Sequence, residues 1–102
     1  TSANQEDHVS MGTIAARKAR QIVEHVQAVL GIELMAAAQA IDFRGGKELL
    51  GKGTKVAYEM LRDKVDYLDE DRVMCYDMEN AAKIISEGGL VERVEEVVGK
   101  LA

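Results

Sequence analysis

Val29-Leu30-Gly31-Ile32-Glu33-Leu34-Met35-Ala36-Ala37-Ala38-Gln39-Ala40-Ile41 is the stretch that decides the fold. Wound on a 3.6-residue period, its apolar residues go almost all the way round, so as a helix it demands neighbours on every side. Upstream, Ile14, Ile22, Val26, Val29 and Leu30 keep to one face, while Arg17, Arg20, Gln21 and Glu24 fall mostly elsewhere in the ordinary amphipathic pattern. Between Ser10 and Asp42 only Gly12 and Gly31 oppose a helix, and Ser10 or Thr13 is placed to cap its start. The spacing therefore predicts one long helix over 10–43. About 30 helical residues at 1.5 Å each reach about 45 Å, whereas a compact chain of this length has a radius of gyration of about 13 Å. The helix outruns its own domain, and its apolar surface has to meet an oligomeric partner or further parts of a larger protein.

Downstream, a Gly-rich connection over 44–53 carries Gly45-Gly46 and Gly51-Lys52-Gly53, and three shorter helices are expected over 54–102. Thr54 looks like the cap of the first, which runs to about Lys64 with Val56, Met60 and Leu61 as its buried face. Asp66 to Arg72 reads as an acidic loop. Asp77 is expected to cap the second helix, which carries Ala81, Ala82, Ile84 and Ile85 and stops at Gly88-Gly89. The third, Leu90 to Leu101, sets Val91, Val94, Val97 and Val98 against Glu92, Arg93, Glu95 and Glu96. No Pro, one Phe, three Tyr and no Trp among 102 residues leave a strongly helical composition. The fold class is all-α: a long core helix of a helical bundle, followed by three shorter C-terminal helices.

Composition also excludes. A net charge of −5 argues against nucleic acid as a partner, since phosphate binding needs clustered Lys and Arg on a basic face, and Arg17-Lys18-Ala19-Arg20 fits a solvated helix face. The apolar run from Ala28 to Ile41 falls short of the roughly 20 residues that span a bilayer, so no membrane is expected. A lone cysteine, Cys75, allows no internal disulfide and suits a reducing compartment, with the cytoplasm as the expected location. Gly46 to Lys52 spells G-x-x-x-x-G-K, yet Gly53 stands where a phosphate-binding loop has Ser or Thr, and a helix rather than a strand precedes it. Asp66, Asp69, Glu70 and Asp71 lack calcium-loop spacing, and His8 and His25 lack a ligand pattern, so no metal site is expected.

The first octet differs. Gln5, Glu6, Asp7 and His8 put an amide, two carboxylates and an imidazole within four residues, just before the long helix. This density suits proton transfer or polar substrate contacts. It equally suits a polar capping segment with acids near a helix N-terminus.

Thr1-Ser2-Ala3-Asn4-Gln5-Glu6-Asp7-His8-Val9-Ser10-Met11-Gly12 closely resembles the T-S-A-x-Q-E-D-H-V-S-M segment of the histidine ammonia-lyases, within the aromatic amino acid lyase family. Ile32 to Gln39 is similar to the family's I-E-L-L-A-A-A-Q helix, Leu50 to Thr54 to its L-G-x-G-T turn, and Leu68 to Asp77 to its L-x-x-D-R-x-x-x-x-D segment. The likeness covers essentially the whole chain and runs to the family's usual C-terminus. It departs in having no Pro near Val65-Asp66, where the family often has one.

The resemblance implies the C-terminal segment of an all-helical homotetramer that eliminates ammonia from an amino acid, here L-histidine to urocanate, by means of a methylidene-imidazolone prosthetic group. That group forms from an Ala-Ser-Gly tripeptide, whereas Ser2, Ser10 and Ser86 lie in Thr-Ser-Ala, Val-Ser-Met and Ile-Ser-Glu. The fragment alone is therefore expected to be inactive. Residue by residue, Glu6 matches the family's active-site glutamate, the catalytic candidate, and Gln5 and His8 match flanking substrate-binding positions. Lyases and aminomutases acting on phenylalanine or tyrosine tend to read N-Q-D-V here. A carboxylate can hydrogen-bond a substrate imidazole but is a desolvated, unpartnered charge beside a phenyl ring, which favours histidine. Two alternatives remain at this point: a fragment of a phenylalanine or tyrosine lyase or aminomutase, and a non-catalytic helical self-association module.

Overall fold

The computed structural model describes residue 3 and residues 10–102, and there the chain is all-helical. Helix α1, Gly12–Phe43, is followed by a 3-10 turn at Lys47–Leu49 and by α2 (Lys52–Lys64), α3 (Cys75–Glu87) and α4 (Leu90–Val98). Ser10 serves the start of α1 from one residue outside the cap, its Oγ accepting the Gly12 N–H at 3.2 Å. Met11 occupies the cap position without a side-chain hydrogen bond. At the other end the chain turns back through Gly45 and Gly46, both at positive φ (119° and 89°), where side chains are strained. The Gly46 N–H returns to the Ile41 carbonyl at 2.9 Å and satisfies one of the orphaned acceptors of the last turn.

Two other helix starts differ from the sequence expectation. Helix α2 begins at Lys52 behind Gly51, so Thr54 sits inside the first turn and its hydroxyl donates back to the Gly51 carbonyl at 3.1 Å. Helix α3 begins at Cys75, and Asp77 lies in its first turn rather than at its cap. A stronger partner claims that carboxylate: Arg72 Nε donates to Asp77 Oδ2 at 2.9 Å. Here both donor and acceptor are ionised, whereas in a cap only the carboxylate would be. Gly88 ends α3, as Gly88-Gly89 foretold, while α4 closes at Val98, earlier than Leu101.

The core is small. Ala38 of α1, Leu61 and Val65 at the end of α2, and Ala81 and Ile84 of α3 are buried together, with Leu34, Met35, Tyr58 and Leu90 packed against them. Its tightest point is the crossing of α1 and α3 at Gly31. A Cβ there would lie 2.8 Å from the Ala82 backbone N and 3.0 Å from the Ala81 carbonyl carbon, so only glycine lets the two backbones approach this closely.

Helix α1 meets its neighbours along one side of its C-terminal half. Residues 12–30 are exposed apart from the half-buried Gln27. Val29 and Gly31 are two residues apart, about 200° of helical turn, so the stripe of Ile22, Val26 and Val29 lies opposite the face buried on α3. Those three side chains are 60%, 49% and 62% exposed. The expectation of neighbours on every side is met in this chain only on the Gly31–Ala38 side. The molecule measures 69 × 38 × 18 Å with a radius of gyration of 19.7 Å, well above the value for a compact domain. By length and composition alone α1 would suffice to cross a bilayer, a property the shorter Ala28–Ile41 window did not suggest.

Candidate functional site

Gln5, Glu6 and His8, the residues singled out for chemistry, lie outside the described residues. What the structure gives is the element that follows them: α1, whose first turn holds Gly12, with Ser10 bonded to it. The other sequence motifs fall on ordinary structure. Gly46 to Lys52 forms the 3-10 turn and the first residue of α2, with Lys47 paired to Glu59 at 3.4 Å and Lys55 to Glu48 at 3.3 Å. His25 is exposed on α1 and Cys75 is exposed at the start of α3. Among the described residues no three His, Cys, Asp or Glu side chains converge as a metal site would require.

The densest polar constellation is one that the sequence reading missed. Asp42, near the end of α1, accepts from the Tyr58 hydroxyl and, at 2.7 Å, from Arg62 Nη2, both on α2. The Arg62 and Asp42 side chains retain 16% and 18% exposure, so this ion pair is largely shielded from water. Arg62 Nη1 donates to the Val65 carbonyl at 3.0 Å, and its guanidinium lies 5.6 Å from the Tyr58 ring and 6.0 Å from the Tyr67 ring. Such stacking offsets part of the cost of burying a cation. Its Nε is buried without a hydrogen-bond partner. Burial pushes the Asp42 carboxyl upward, but the hydrogen bonds from Tyr58 and Arg62 and the charge of Arg62 outweigh it, and the pKa lies below the ordinary 3.8.

Gln39 extends this network to the loop. Its Nε2 donates to the Leu68 carbonyl at 2.9 Å and its Oε1 accepts the Leu68 N–H at 3.2 Å, the two-way grip of a β-ladder pair made by one side chain. Arg72 closes the far side, donating to the carbonyls of Asp66 at 2.7 Å and Tyr67 at 3.1 Å besides Asp77. The Asp42–Tyr58–Arg62 cluster was not within reach of the sequence. Its available signals were slight: Gln39 and Asp42 at i, i+3 break the apolar surface of α1, and Tyr58 and Arg62 at i, i+4 share a face of α2. These groups are engaged with one another, so what they supply is position. They clamp loop 65–74 across the end of α1.

Among the hollows on the bundle, two lie along residues 30–39 of α1. A small one of about 220 Å³ beside the clamp is walled by Ile32, Met35, Gln39, Arg62, Leu68 and Met78. A broader groove of about 750 Å³ runs between α1 and the α3–α4 junction, with Leu30, Leu34, Leu90 and Val91 on its floor and Glu33 and Glu92 at its edge. The small one has no Ser, Thr, Cys, His or Lys in its wall, and in the broader one Ser86 stands beside Glu33, Glu87 and Glu92 but donates to the Lys83 carbonyl at 3.5 Å rather than to a carboxylate. Among the described residues the structure offers a scaffold, and the segment preceding α1 lies outside them.

Comparison with known proteins bears on that segment directly. The sequence model of the family described as aromatic amino acid lyase matches residues 1–63, which hold Gln5, Glu6, His8, all of α1 and most of α2. A histidine ammonia-lyase of Alkaliphilus oremlandii is 58% identical over 98 residues, 96% of this chain and 19% of that protein. One of Alkaliphilus metalliredigens is 57% identical over 101 residues, 99% of this chain and 20% of that protein. One of Clostridium tetani is 54% identical, over 96% of this chain and 20% of that protein. The chain thus spans about a fifth of the length of these relatives. No solved structure matches it.

Proposed function

We propose, because this chain belongs to the aromatic amino acid lyase family, that it is the C-terminal part of an enzyme that eliminates ammonia from L-histidine to give urocanate. The observation that carries this reading is the run Gln5-Glu6-Asp7-His8 inside a chain more than half identical to histidine ammonia-lyases. A carboxylate at position 6 suits a substrate with a ring N–H to bond, and a phenyl ring would leave it desolvated without a partner. Glu6 is the catalytic residue in this reading. Gln5 and His8 bind substrate beside it.

The methylidene-imidazolone group of the family does not fit within these residues. It needs an Ala-Ser-Gly tripeptide, and Ser2, Ser10 and Ser86 lie in other contexts. The full-length enzyme supplies it from the remainder of its chain. Helix α1, by this reading, is a bundle helix of a cytoplasmic homotetramer rather than a membrane span. Glu24, His25 and Glu33 interrupt its apolar surface, and its Gly31–Ala38 face is built against α3.

Two measurements test the proposal. Residues 1–102 incubated with histidine should give no urocanate above a blank, followed by ultraviolet absorbance. In the full-length enzyme, Glu6→Gln should preserve the fold and lower turnover on histidine by on the order of 10²-fold or more, the scale of a positioned acid–base group. Unchanged kinetics in that variant would remove Glu6 from the site and, with it, the preference for histidine over phenylalanine or tyrosine.

A further inference from the structure

We draw no further inference here: the strongest candidate, the apolar groove between the C-terminal half of α1 and the α3–α4 junction with Glu33, Glu87 and Glu92 at its edge, carries nothing because nothing in the structure shows what covers it.

Discussion

Arg62 bonds Asp42, Gln39 and the Val65 carbonyl through one guanidinium, and its loss would leave the Asp42 carboxylate largely shielded with Tyr58 as its remaining partner. Removing one member of a shielded pair costs more than the pair is worth, because the survivor keeps its desolvation penalty. We expect Arg62→Met to destabilise the chain by about 2–3 kcal/mol in urea unfolding, and Asp42→Asn added to it to cost less than the sum of the two single changes. The acid side carries a second signature. Because the folded-state pKa of Asp42 lies below 3.8, its contribution to stability is in place above that pH and is lost as pH falls through the lowered value. The difference in unfolding midpoint between the wild-type chain and Asp42→Asn should therefore be constant near neutrality and shrink below about pH 4; a gap that widens toward acid would mean that Asp42 is not held in its charged form. None of this was legible in the sequence. Gln39 and Leu68 are 29 residues apart, Asp42 and Arg62 20, and no periodicity reports which polar residues across such a distance will share a partner.

At the scale of elements, local rules worked where local forces decide. The apolar period placed the long helix at 10–43 against an observed Gly12–Phe43, and Gly88 closes α3 where the Gly-Gly pair stood. They failed at Asp77, where Arg72 claims the carboxylate, and at Thr54, which lies in the first turn of α2 and bonds back to the Gly51 carbonyl. Gly31 shows the same contest in quantitative form. By propensity alone, Gly→Ala in a helix interior stabilises by about 1 kcal/mol. Here the added Cβ would press on the backbone of α3 at 2.8 Å, and backbone cannot rotate away as a side chain can. Gly31→Ala is expected to destabilise by about 1–3 kcal/mol, the usual cost of overpacking, with helix content by circular dichroism retained and the urea midpoint lowered. A raised midpoint would show that α1 and α3 can separate at this crossing without cost. The octet holding Glu6 lies at the opposite extreme: resemblance alone singles it out, since an amide, two carboxylates and an imidazole before a helix suit a cap as well as a site.

The whole molecule is a small core at one end of a helix too long for it. Ile22, Val26 and Val29 are each about half exposed or more, and Ile14, Val23 and Ile32 add to the same uncovered length. Burial stabilises by roughly 25 cal/mol per Å², so covering on the order of 500 Å² of such surface is worth roughly 12 kcal/mol, comparable with the 4–15 kcal/mol that association costs in lost freedom. The balance favours association once two chains bury the stripe against each other, because both contribute area while the entropic cost is met once. We expect residues 1–102 to be helical and self-associated at tens of micromolar, by light scattering after gel filtration. Val26→Lys should shift the population toward monomer and leave the circular dichroism spectrum unchanged, since Val26 is about half exposed and outside the core cluster and the helix tolerates lysine. A clean wild-type monomer at that concentration would require α2 to α4 to leave their observed positions and fold along the uncovered face of α1, and Val26→Lys would then reduce helicity and stability instead of changing size.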